Sequence, residues 1–165
     1  MKRIVSVIIV CLIMGVLAYF GTYYIDKLRK GGEVNITVTF DDTETYVIPS
    51  IKKMNKEEAL KEWPYIMEVN NTGSGTGLYQ IIITDIETSS VPREKLEYAL
   101  FLEDKEIVTD LLKNIKNNVL YTGQIKGNTK QKYKLYIWVK EDVDEKDTYE
   151  YKLEFNTIRT GGPGF

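Results

Sequence analysis

The chain has 165 residues, enough for one domain with its own core and one appended element. It holds no histidine and one cysteine, Cys11, which excludes a Ser-His-Asp triad, a Cys-His pair, every His-ligated metal site and any disulfide within the chain. The net charge of −2 hides an asymmetry: the first 30 residues carry five basic side chains and one acid, which leaves 17 basic and 23 acidic in the remainder. A body of net −6 repels a phosphate backbone, so nucleic acid is excluded as a partner.

Lys2 and Arg3 precede the uncharged run IVSVIIVCLIMGVLAYFGTYYI, residues 4–25. A helix of that length, rising about 1.5 Å per residue, spans a bilayer core of roughly 30 Å. Tyr19, Tyr23 and Tyr24 gather at its far end as an interfacial belt would. Ala18 followed by Tyr19, with Val16 two residues before Ala18, is an acceptable signal-peptidase site, yet apolar character continues to Ile25. Residues 1–26 are therefore expected to be a signal peptide or a retained transmembrane anchor, and both readings stand. The body is placed outside the cell, single-pass with the N-terminus inside, or secreted after cleavage. Residues 27–32 form a short linker, 33–159 the extracellular domain and 160–165 a glycine-rich tail.

From Glu33 the dominant period is two, the period of a strand. Val34, Ile36, Val38 and Phe40 alternate with polar residues and predict a half-buried first strand. Further strands are predicted over 45–51, 64–70, 78–86, 95–103, 119–125, 132–140 and 148–158. Two short helices are expected. Asn55 caps the first, KEEALKEW, with Glu58 closing a capping box. The second is DKEIVTDLLKNI, where Ile107, Val108, Leu111, Leu112 and Ile115 share a helical face. About eight strands without a βαβ rhythm predict a mostly β fold, an antiparallel sandwich or jelly roll.

Gly73, Gly75 and Gly77 lie in VNNTGSGTGLYQIII. A phosphate-binding glycine loop opens a helix, whereas Gly77 leads into a strand, so the run reads as a β-hairpin connection. No cofactor is implied. Asp142, Asp144 and Asp147 in the acidic stretch EDVDEKD are weak calcium candidates without EF-hand spacing, beside the plainer reading of a solvated hairpin loop. Tyr136 and Trp138 on one strand offer an aromatic platform for a ligand such as a glycan, beside the plainer reading of core packing. No carboxylate pair or serine carries a catalytic signature, so the chain is not expected to be an enzyme.

LAYF (17–20), VNITVTF (34–40), YIMEVNNTGSGTGLYQIIITDI (65–86) and YKLYIWV (133–139) together resemble the camelysin and TasA-type group of exported Gram-positive proteins. The resemblance implies a jelly-roll-like sandwich and a role in surface or biofilm-matrix structure. It also implies β-strand addition, in which one subunit's first strand completes the next subunit's sheet. Here the interaction strand would be Glu33–Phe40, with Val34, Ile36, Val38 and Phe40 docking in cis or in a neighbour. The metal-dependent protease activity ascribed to some members does not carry over to a chain without histidine. The expected function is thus a structural or interaction protein whose partners are a membrane, further copies or other matrix proteins. The alternative is a membrane-anchored module binding glycan or calcium.

Overall fold

The computed structural model describes residues 32–40, 45–48, 52–144 and 146–158. The apolar run 4–25, the Ala18–Tyr19 site and the tail lie outside them. Among the described residues no helix is long and apolar enough to cross a membrane.

The body is mostly β, in two antiparallel sheets. Its strands are β1 (Ile36–Phe40), β2 (Thr45–Val47), β3 (Tyr65–Asn71), β4 (Gly77–Asp85), β5 (Leu96–Leu102), β6 (Lys105–Leu111), β7 (Val119–Ile125), β8 (Thr129–Val139) and β9 (Glu150–Ile158). One sheet has the order β1-β3-β8-β5-β6, the other β2-β9-β4-β7. Alternation decides which face is buried. Tyr65, Met67 and Val69 of β3 face inward between half-buried neighbours, as do Tyr79, Ile81 and Ile83 of β4. These inward faces join Leu135, Tyr151 and Leu153 in one core shared by both sheets.

Two expectations from the sequence are corrected. The predicted second helix is an edge strand, β6, followed by a single 3-10 turn over Leu112–Asn114. Ile107, Val108 and Thr109 are β-branched and favour a pleated surface. Glu103 at φ 54° turns the chain so that Lys105 pairs with Leu102. The apolar spacing that resembled a helix face is shared between the strand and the turn, where Leu112 is fully buried. The first helix, α1 (Lys56–Ala59), is present with its Asn55–Glu58 capping box, and it is the one α-helix among the described residues.

The second correction concerns connectivity. The glycine-rich run is not a hairpin, because β3 and β4 belong to different sheets. The acidic stretch is likewise not a hairpin, since β8 and β9 are on opposite sheets. Among the described strands β5–β6 alone forms a hairpin between sequence neighbours.

The strands define two poles. β1 and β4 begin, and β3, β7 and β9 end, at a glycine pole where Asn71 pairs with Thr129 and Leu78 with Ile158. At the opposite pole lie α1, the end of β8 and the acidic loop.

Candidate functional site

Each outer edge of a sheet presents unpaired backbone groups and has to be managed. β6 carries Lys105, Glu106 and Asp110, and its pairing is broken by an irregularity between Leu100 and Phe101. On the other side of the body the edges are barer. Among the described residues β1 is held on one side only, by five residue pairs with β3, and its edge carries no charge. β9 pairs with β2 only at Glu150–Lys152, so from Leu153 to Ile158 one side of the strand pairs with nothing among the described residues.

These two bare edges border one groove of about 610 Å³. Its first bank is Ile36, Val38 and Phe40, and its second is the consecutive run Lys152–Thr157. Consecutive residues point to opposite faces of a sheet, so a run that lines a space without a break meets it with the strand's edge. Phe155 is half-buried and stacks on Tyr79 at 4.9 Å between ring centroids. The predicted interaction strand thus sits here, paired in cis. Val34, Ile36, Val38 and Phe40 face inward and remain half-buried.

The glycine pole explains Gly73 and Gly75 differently from a turn. No glycine among the described residues has positive φ. A Cβ on Gly73 would overlap the Glu33 carbonyl, one on Gly75 the Gly32 carbonyl, and one on Gly127 the backbone of Ser74. The glycines let three backbone segments touch. Asn71, the one polar side chain buried among the described residues, lies at their centre. Its Oδ1 accepts from the backbone N–H groups of Asn35 (3.2 Å) and Gly73 (3.1 Å), and its Nδ2 donates to the Gly75 carbonyl (2.8 Å). This junction ties the entry of β1 to both sheets. Sequence reasoning missed it, although an asparagine at an inward strand position was its visible sign.

No group of three acids able to hold an ion occurs among the described residues. Asp144 accepts from the Lys146 N–H and Asp147 from the Asp144 N–H, which closes a turn. Asp147 also accepts from Ser90 Oγ at 2.8 Å, and Asp142 faces Lys53 at 3.5 Å.

The aromatic platform is corrected. Trp138 is fully buried and packs with Ala59 and Ala99. It does lie on the outer face of its sheet, as alternation requires, but α1 covers it, and two alanines leave room for the close approach. Tyr136 stays half-buried, edge-on to Phe101 at 5.7 Å. Among the described residues the exposed aromatic is Trp63, which has 88% of its surface in solvent. It ends the KEEALKEW segment, four residues beyond the last residue of α1.

The remaining titratable groups inside the body are tyrosines. Burial pushes Tyr79 up to about 12, and its hydroxyl meets those of Tyr133 and Gln131 Oε1. Burial, and then the neighbouring Tyr79, also raises Tyr133. Tyr149 is raised by burial and by Asp85, whose carboxylate accepts its hydroxyl at 2.6 Å and the Arg93 Nε at 2.7 Å. All three stay neutral at ordinary pH and act as hydrogen-bonding struts.

The chain matches no protein-family model, no curated protein and no solved structure.

Proposed function

We propose that this is an exported structural or interaction protein of a bacterium, a β-sandwich of jelly-roll type displayed at the cell surface or released into a matrix. Its working part is the open seam between β1 and β9. The observation that carries this reading is the stretch Leu153–Ile158, bare among the described residues, facing the half-buried Ile36, Val38 and Phe40 across a groove of mixed polar and apolar lining. An extended strand laid there would satisfy backbone groups and cover those side chains together, which is the physics of β-strand addition. The donor we infer is Glu33–Phe40 of a second copy. Among the described strands β1 is bound on one edge and borders this groove, which makes it the strand of its sheet placed to exchange between copies. Export rests on residues 2–25, and the matrix role on the resemblance to the camelysin and TasA-type group.

The test uses the full chain and two variants. Thr157 is exposed on the β9 bank, so Thr157→Lys adds an edge charge without touching the core. Assembly followed by sedimentation and electron microscopy should fall in Thr157→Lys while its melting temperature stays unchanged. A chain lacking residues 33–40 should lose assembly and recover its fold when the peptide EVNITVTF is added. Undiminished assembly in both variants would reject the seam.

A further inference from the structure

We propose that Trp63 is the stacking platform of a saccharide-binding patch at the pole opposite the glycine junction. This inference is independent of the strand-addition seam.

An indole ring left 88% in water is unusual for the largest apolar side chain, and here the backbone that carries it is well anchored. The Asn55–Glu58 capping box fixes the start of α1. The N–H groups of Lys61 and Glu62 donate to the Glu58 and Ala59 carbonyls at 3.0 and 3.1 Å, and Pro64 follows with its φ fixed. Lys56 ties the segment to Glu106 on β6 at 2.7 Å, and the Met54 N–H ties it to the Val139 carbonyl at 2.9 Å. A backbone anchored this way loses little freedom when the indole binds.

The surroundings select the ligand. Trp63 shares its patch with Glu62, Tyr136 and Met54 around a depression of about 10 Å³. That is hardly room for one water, so no side chain of a protein partner can anchor there. The residues beside it, Lys61 and Glu62, are exposed and charged, and they provide none of the water-excluding ring that surrounds a protein hot spot. Residues 52–63 carry four lysines and three glutamates, so the patch has no basic groove for a nucleic-acid strand. A flat, exposed aromatic face bordered by Glu62 and Tyr136 suits a neutral pyranose. The C–H face of the sugar lies on the indole, and its hydroxyls meet the rim.

The chain has two tryptophans, one exposed and one buried, so iodide quenching reads Trp63 and leaves Trp138 as a reporter of folding. The full chain in a sugar-free detergent is titrated with chitohexaose and cellohexaose, and its retention on insoluble peptidoglycan is measured in parallel. The expected result is loss of the quenchable component on addition of oligosaccharide. Retention should fall about tenfold in Trp63→Ala and less in Trp63→Phe, both with unchanged melting temperature. Quenching indifferent to every saccharide, or Trp63→Ala retained like the parent, overturns the proposal. Protection of Trp63 by the micelle alone assigns the ring to a membrane surface and overturns it as well.

Discussion

A buried asparagine carries more of this fold than its single position suggests. Asn71 uses both ends of its amide on two backbone segments, at Asn35 and at Gly73–Gly75, and nothing apolar can replace those bonds. Asn71→Ala should cost about 2–4 kcal/mol, read as a lower urea midpoint, because buried donors and acceptors are left unpaired. Gly73→Ala should loosen the same junction by pushing the Glu33 carbonyl away, seen as faster amide exchange at Thr72 and Gly75, whose N–H groups bond to Asn35 and Glu33. The tyrosines set the alkaline limit. The folded pKa of Tyr79, about 12, lies above the ordinary value of 10.0. Its contribution is therefore fully present below pH 10 and is lost as pH rises through about 12. A pH titration of the melting temperature should fall steeply across that window, and less steeply in Tyr79→Phe.

Elements show where reading a sequence succeeds and where it stops. The strand Val119–Ile125 has the predicted bounds, and α1 begins at its predicted cap, because period and capping are local properties. The predicted helix over 104–115 failed because five apolar residues fit a helical face as well as they fit a strand and a turn. Only pairing with β5 chooses between them. Connectivity failed for a related reason: alternation names the buried face of a strand but not the sheet it joins, so two arches between sheets were read as hairpins. Trp138 was placed on the correct face, yet a segment some 80 residues earlier covers it. The cap itself can be tested. Asn55→Ala removes a side-chain bond to the Glu58 N–H of 3.0 Å. It should cost about 1 kcal/mol. The loss should be accompanied by increased solvent access to Trp138, since α1 is its lid.

The whole molecule is polarised, and that polarity ties the sequence ends to the two proposed sites. The described body begins at Gly32 and its last strand ends at Ile158, both at the glycine pole. Trp63 precedes the seven-residue β3, which places it roughly 20 Å further along the strand axis. If residues 4–25 are retained in a bilayer, the linker 27–32 is too short to let the body range freely, and the glycine pole faces the lipid. Trp63 then points away from the membrane, toward whatever surrounds the cell, while the seam runs along the flank, where a neighbour can reach it. Energy transfer to dansyl-labelled lipid headgroups measures this arrangement. Lys126 is exposed at the glycine pole, so a Lys126→Trp change in a Trp63→Phe background should transfer more strongly to the headgroups than Trp63 does in the parent chain. The reverse order would mean that the body sits inverted on the membrane, with the indole in the interface. The outward-facing saccharide patch would then lose its geometric basis, whereas the seam, parallel to the strands, would keep its own.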